Sequence, residues 1–202
     1  LLEIFMIRKK PEIPFVNLHG HSTFSINDGF GYPQEHMDFA YENGCDALAL
    51  TDHGHANGMS YQVLHAKKMK QEGKEFKPIF GVEAYFLDSV EEWKEEMEEL
   101  RKDAKEARKL KKHTGTMEAE DEGESKAKDG KKVAKRRRHL ILLAQNQKGL
   151  SNIFKLISDS FTENNFYRFP RIDFDLLAKH NEGILVSSAC CGGVLASHVW
   201  DN

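Results

Sequence analysis

Two short stretches of the chain carry side chains that bind metal well: His19-Gly20-His21-Ser22 and Thr51-Asp52-His53-Gly54. A His-X-His pair on an extended segment puts both imidazoles on one face, about 7 Å apart along the chain, because strand side chains alternate with period two. Taken alone the pair is a weak signal, since ordinary surface or core histidines show the same spacing. Asp28, just before Gly29, sits in a loop leaving the same strand end, where Asp also serves turn geometry. Asp52 and His53 close the next apolar run, at the strand end where parallel α/β proteins keep their sites. Glu83 is harder to explain by packing. It follows Ile79-Phe80-Gly81-Val82 inside an apolar strand, where an unpaired carboxylate costs several kcal/mol. Cys190 and Cys191 follow a further apolar run; free buried cysteines are usually inert, but a thiolate beside a metal is a strong ligand. A mixed N/O/S set suits Zn²⁺, and the carboxylates leave Mn²⁺ or Fe²⁺ open. More candidates than one tetrahedral ion uses imply a multinuclear centre. The chemistry to expect is phosphoester hydrolysis, with metal-bound hydroxide attacking phosphorus and a second ion steadying the leaving oxygen.

The elements that must position these groups alternate along the chain. Ile13 to His21 reads as a first strand with Phe15, Asn17, His19 and His21 on one face, followed by a loop from Ser22 to Tyr32. Pro33 suits the first turn of a helix and Gly44 its stop. Ala47-Leu48-Ala49-Leu50 is a short continuous apolar run, the mark of a strand covered on both faces. A helix over Ser60–Glu72 and a strand over Pro78–Phe86 come next. After a long interval, His139–Ala144 reads as a fourth strand. Leu150, Ile153, Phe154 and Ile157 then form one helical stripe, and Asp173 caps a short helix through Leu176, Leu177 and Ala178. Gly183–Ser188 is a fifth strand, and Gly192–Trp200 begins another helix. Strand, loop and helix in repetition predict an α/β fold with a parallel sheet, and sites gathered after the strands favour an incomplete barrel of the TIM kind.

The interval Asp88–Arg138 has a different character. Ser89 with Glu92 makes a capping box, and Val90, Trp93, Met97, Leu100, Ala104 and Ala107 follow a heptad-like spacing, predicting a helix over about 89–112. Beyond His113 the composition turns to Glu, Lys, Gly and Ser with little to bury, which reads as disordered. A charged insertion of 88–138 thus divides the domain into 13–87 and 139–202. A solvated helix with a loose loop is the plain reading; contact with phosphates through Lys135-Arg136-Arg137-Arg138 is the other.

Composition bounds these expectations. A chain of 202 residues, 40% hydrophobic and 30% charged, supports one sizeable core. A formal net charge of −3 argues against a uniformly basic nucleic-acid binder. Three cysteines give no disulfide framework and fit a reducing, cytoplasmic setting. No apolar run approaches the roughly 20 residues that span a bilayer. Leu1–Phe5 is too short for a signal segment, so Met6 is the expected natural start and 1–12 an N-terminal extension.

Several of these stretches resemble a known family. Phe15-Val16-Asn17-Leu18-His19-Gly20-His21-Ser22-Thr23-Phe24-Ser25 with Asp28-Gly29 is similar to the first motif of the PHP (polymerase and histidinol phosphatase) domain, and Ala49–Gly54 to its second. Pro78–Tyr85, His139–Asn146, Phe166–Asp173 and Ser188–Gly193 resemble, in order and spacing, the PHP domains that open bacterial DNA polymerase III α subunits. The resemblance implies a distorted (β/α)₇ barrel with up to three zinc ions, held by His19, His21, Asp28, His53, Glu83, His139 and Cys190. It alone selects His139, which starts a predicted strand, and Cys190 over Cys191. Asp52 is then expected to orient a ligating histidine from behind.

The family's closing Asp-X-His motif has no counterpart before Asn202, which implies an incomplete ligand set, and no polymerase palm or fingers are present. The leading expectation is a metal-dependent phosphoesterase or 3′–5′ exonuclease domain of a replicative polymerase, with Arg168 or Arg171 orienting phosphate. Its partners would be DNA, the remainder of the α subunit, a proofreading subunit and the sliding clamp. A non-catalytic scaffold that docks the proofreading subunit is the second reading, and a free-standing phosphatase the third; the stretch Phe166–Asp173 counts against the latter.

Overall fold

The computed structural model describes Glu12, residues 15–114 and residues 137–200. The expected start at Met6, the N-terminal extension apart from Glu12, most of the tract expected to be disordered and Lys135-Arg136 lie outside the described residues. Helices and strands alternate as α1 (Pro33–Glu42), β1 (Ala47–Leu50), α2 (Met59–Gln71), β2 (Lys77–Phe86), α3 (Val90–Thr114), β3 (Arg138–Ala144), α4 (Gln147–Ser160), β4 (Phe166–Tyr167), β5 (Phe169–Ile172), α5 (Phe174–Lys179), β6 (Ile184–Ser188) and α6 (Val194–Trp200). Apart from the first strand, the elements read from hydrophobic period agree with these to within a few residues. The hairpin of β4 and β5 is an addition.

The ten-residue strand β2 is the axis of the sheet. Along one edge its first half pairs in parallel with β1 (Leu50 opposite Phe80), and its end pairs in parallel with β5 (Phe86 opposite Ile172). Along the other edge it pairs with β3, and β3 pairs with β6; both of these pairings are antiparallel. The sheet is therefore mixed, which corrects the expectation of a parallel one. The cause lies between β2 and β3. The chain leaves the C-terminal end of β2 for α3 and returns to that same end, so β3 can only run backwards beside its predecessor. Arg138 fastens the mouth of this excursion, its Nη1 donating to Asp88 Oδ1 at 2.9 Å and Oδ2 at 3.1 Å.

Segment 15–21 is the second correction. It lies beside β1, with Ala49 N donating to Asn17 O and Thr51 N to Gly20 O, but only Asn17 and Leu48 form a bridge. Asn17 Oδ1 accepts the His19 N–H at 3.1 Å, turning the chain out of regular extension.

Alternation along the strands sorts the side chains onto two faces. Val82, Ala84 and Phe86 of β2 and Leu140 and Leu142 of β3 pack with Ile153 and Leu156 of α4 into the main core. Their neighbours in sequence, Glu83, Tyr85, His139 and Ile141, point the other way. There Ala49, Ile141 and Leu143 make a small apolar floor. Met37 and Ala40 of α1 and Met69 of α2 cover Leu48 and Leu50 of β1.

Asp173 caps two helices at once: Oδ2 accepts from Val90 N at the start of α3, and Oδ1 from Leu176 N in α5. Among the described side chains of α3, the first turns pack through Val90 and Trp93, joined by Leu87 just ahead of the helix. Ala104 and Ala107, expected on the same stripe, are exposed. None of the described helices is long and apolar enough to cross a membrane.

Candidate metal centre

Glu83 stands at the middle of the face opposite the main core. Its side chain is fully buried, and four histidines close on its two oxygens. His19 Nε2 lies 2.6 Å and His21 Nε2 2.8 Å from Oε2; His53 Nδ1 is 3.8 Å from the same oxygen. His139 Nδ1 is 2.8 Å from Oε1. Asp28 completes the group from an exposed loop, with Oδ2 at 2.8 Å from His53 Nε2 and 3.7 Å from His21 Nε2. Three overlapping triads result, His19–His21–Glu83, His21–Asp28–His53 and His53–Glu83–His139, each with its ligand atoms within 4.8 Å of one another. Six of the seven expected ligands therefore come together.

Each arrives by a traceable route. His19 and His21 come from the segment flanking β1, and their Nε2 atoms meet at 3.0 Å. His53 follows β1 through a bridge to Glu83, and Gly54 N donates to Glu83 O. Asp28 is brought over by a tight loop in which Asp28 N and Gly29 N both donate to Ser25 O. A Cβ on Gly29 would fall 1.7 Å from Ser22 O, so only glycine lets the loop fold back this far. His139 owes its place to the backward run of β3, which sets it opposite Tyr85. The start of β3 is thus the functional end.

The donor set fits a cation. Two imidazole nitrogens and a carboxylate oxygen meet within 3.0 Å, and protons on both nitrogens would collide. Glu83 Oε1, with His139 Nδ1 at 2.8 Å as an ion-pair contact, and His53 Nδ1 are buried and short of hydrogen-bond partners. Orphaned buried acceptors converging on one region are what a divalent ion satisfies. The protonation balance agrees. Burial favours the neutral form of Glu83, yet His139, His21 and His19 beside it hold the carboxyl far below its ordinary range. Burial also opposes charge on His21, but Glu83, Asp28 and Asp52 outweigh it and raise its pKa. For His53 burial prevails, aided by His21 and His139, and its pKa is lowered.

The remaining expected residues are placed differently. Cys190 Sγ meets the centre through His139 Nδ1 at 3.5 Å and is exposed, accepting from Gly192 N. Cys191 is also exposed. Asp52 is buried and touches no imidazole: it accepts from Ser22 N, Ser22 Oγ and Ser25 Oγ. Arg171 is a correction. It is buried, its Nη1 donates to Tyr167 O and Phe169 O, and its guanidinium lies 4.2 Å from the Trp93 ring centre. Its charge is committed to bracing the β4–β5 hairpin, which leaves Arg168 as the arginine facing solvent. Arg168 sits at the hairpin tip with φ 59°, a left-handed conformation that disfavours a side chain.

Two residues around the centre were not singled out from sequence. Tyr85 lies nearly parallel to His53, 5.5 Å between ring centres, and edge-on to His139 at the same distance. Strand parity from Glu83 would have placed it on this face. Ser25 Oγ lies 3.1 Å from His21 Nδ1, and nothing in its type or spacing marked it.

Comparison with known proteins gives the family. A family model described as PHP domain matches residues 17–202. Curated relatives include "DNA polymerase III subunit alpha" of Aquifex aeolicus, 34% identical over 180 residues, and the proteins of the same name of Borreliella burgdorferi and Treponema pallidum, each 35% identical, over 181 and 182 residues. These matches cover 89%, 90% and 90% of this chain. The chain spans about 12% of the length of each of these relatives.

Proposed function

The chain belongs to the PHP domain family, and from that premise we propose that it is the N-terminal PHP region of a replicative, cytoplasmic DNA polymerase III α subunit, with its own metal-dependent phosphoesterase site acting on DNA 3′ ends. The observation that carries the reading is the convergence of His19, His21, Asp28, His53 and His139 around the buried Glu83. The unpartnered buried atoms in its middle favour a centre that binds metal.

His19, His21 and Glu83 would hold one ion and His53, Glu83 and His139 another, with Cys190 at the edge of the latter; Asp28 and His53 offer part of a third site, because the single lone pair of His21 Nε2 serves one ion at a time. Zn²⁺ fits the nitrogen-rich set; Mn²⁺ or Fe²⁺ suits its carboxylates. Such ions, when bound, supply Lewis acidity toward phosphoryl oxygens and an activated water. The protein's own part is positioning. Glu83 is placed between sites, Asp28 reaches in from a solvent-facing loop, and Arg168 offers a cation to a phosphate approaching the β4–β5 hairpin. The folded domain is a (β/α)₇ barrel in the full-length subunit, and its other partners are the rest of that subunit, the proofreading subunit and the clamp.

The test is metal content by elemental analysis, followed by degradation of 3′-labelled single-stranded DNA with and without chelator. Chelator-sensitive degradation abolished by His19→Ala supports the reading. Full metal with no degradation assigns the domain to the scaffold role, and absence of metal rejects both the activity and the ligand set.

A further inference from the structure

Ser25 is fully buried below the centre, and its hydroxyl has three neighbours. Asp52 Oδ1 lies at 3.1 Å, the His53 backbone N at 3.0 Å and His21 Nδ1 at 3.1 Å. A serine hydroxyl has one proton to give and two lone pairs to receive with. The His53 N–H can only donate, which occupies one lone pair. An ionised Asp52 can only accept, and a hydrogen bond to a carboxylate is about twice as strong as a neutral one, so it takes the proton. One lone pair remains for His21, and only an Nδ1–H can use it.

We propose that Ser25, polarised by Asp52, is a positioning residue that holds the proton of His21 on Nδ1 and thereby reserves Nε2, the atom beside His19 and Glu83, for a metal ion. The alternative, Ser25 donating to a bare Nδ1, would turn a hydroxyl lone pair toward the Asp52 carboxylate and leave that oxygen one donor short. Asp52 itself is anchored by Ser22, through both N–H and hydroxyl, so the chain from Asp52 to Ser25 to His21 starts from a fixed point. Gly58 admits the carboxylate: a Cβ there would come within 2.8 Å of Asp52 Oδ2. This inference rests on the metal-centre reading above, and it explains how Asp52 reaches a histidine it does not touch.

The experiment reads the His21 ring nitrogens by long-range proton–nitrogen NMR in chelated protein, together with Zn²⁺ affinity by competition with a chelating dye. In wild type His21 should carry a slowly exchanging Nδ1–H; Ser25→Ala should lose that protection and weaken Zn²⁺ binding by about 10–100-fold. Ser22→Ala, which removes an Asp52 contact without reaching His21, should keep the Nδ1–H and most of the affinity. A bare Nδ1 on His21 in wild type overturns the proposal, even where Ser25→Ala fails to fold. Equal losses of affinity in the two variants overturn it too, since a merely structural role predicts them. A chain with the protected Nδ1–H but no bound zinc or no DNA cleavage sinks the proposed function and leaves this hydrogen-bond assignment standing.

Discussion

Replacing Glu83 with Gln tests the centre most directly, because the change keeps the shape and removes the charge. In chelated protein the fully buried carboxylate has His19 and His21 Nε2 at 2.6 and 2.8 Å and accepts from one of them at a time. Hydrogen bonds to charged groups contribute roughly 1.5–3 kcal/mol each. The two share one oxygen, and the histidines can shed protons, so a loss of about 2–4 kcal/mol is expected. For a domain of this size that is a fall of roughly 5–15 °C in Tm. Metal adds a second readout. Wild type should gain about 2.7 kcal/mol when free Zn²⁺ is 100 times Kd, whereas Glu83→Gln should gain almost nothing. The pH dependence has a defined sign. Glu83 is held below its ordinary value of 4.5, so its contribution is present above that pH and disappears as pH falls further. The stability gap between wild type and variant should therefore close in acid. Thermal unfolding with and without chelator across pH makes the measurement. A variant with unchanged Tm and full metal content would refute the reasoning.

Four further outcomes are expected. Asp28→Asn acts on a half-exposed loop carboxylate, so it should leave the unfolding free energy within about 0.5 kcal/mol of wild type while lowering metal stoichiometry on elemental analysis; unchanged stoichiometry removes Asp28 from the ligand set. His21, with its raised pKa, holds a proton whose stabilising effect is complete below 6.5 and lost as pH rises through the folded value. Zinc competes for that position, so apparent affinity should rise with pH above 6.5 and binding should release protons, seen as different calorimetric heats in buffers of different ionisation enthalpy; identical heats contradict this. Arg171→Met should destabilise by about 2–4 kcal/mol with metal retained, since two carbonyls lose a charged donor. Arg168→Gly should instead stabilise by about 1 kcal/mol through relief of the left-handed backbone, and slow DNA cleavage. The reverse pattern, from denaturant titration and the cleavage assay, would exchange their roles.

Much of this was legible in the chain itself, for physical reasons that differ by residue. Glu83 announced itself because a carboxylate following Ile79–Val82 in an apolar strand needs a partner. His19, His21 and His53 were readable as strand-end ligands, and Asp173 as a cap. His139 was not readable from pattern, because local period says nothing about strand direction, and a residue at the start of a strand is functional only if that strand runs backwards. Arg171 misled for a related reason. An arginine beside a helix start looks available to phosphate, and only the tertiary packing of Trp93 and the β4–β5 carbonyls shows where its charge goes. The first strand failed because Asn17 competes with the ladder for the backbone it should have paired.

The excursion between β2 and β3 separates two quantities that are usually tied, the length of a connection and the register of what it connects. A one-residue slip between these strands would turn His139 to the opposite face and away from Glu83. Register here is set inside the mouth, by six residue pairs and the grip of Arg138 on Asp88, and not by what lies beyond it. Closing a loop becomes harder only logarithmically with its length, about 0.6 kcal/mol per doubling. Growth is therefore nearly neutral beyond the packed first turns of α3, whereas a single residue added within the ladder would dismantle the centre. A lineage can lengthen, recode or exchange that segment freely, and a protein engineer can place a new module there, without the ligands registering the change.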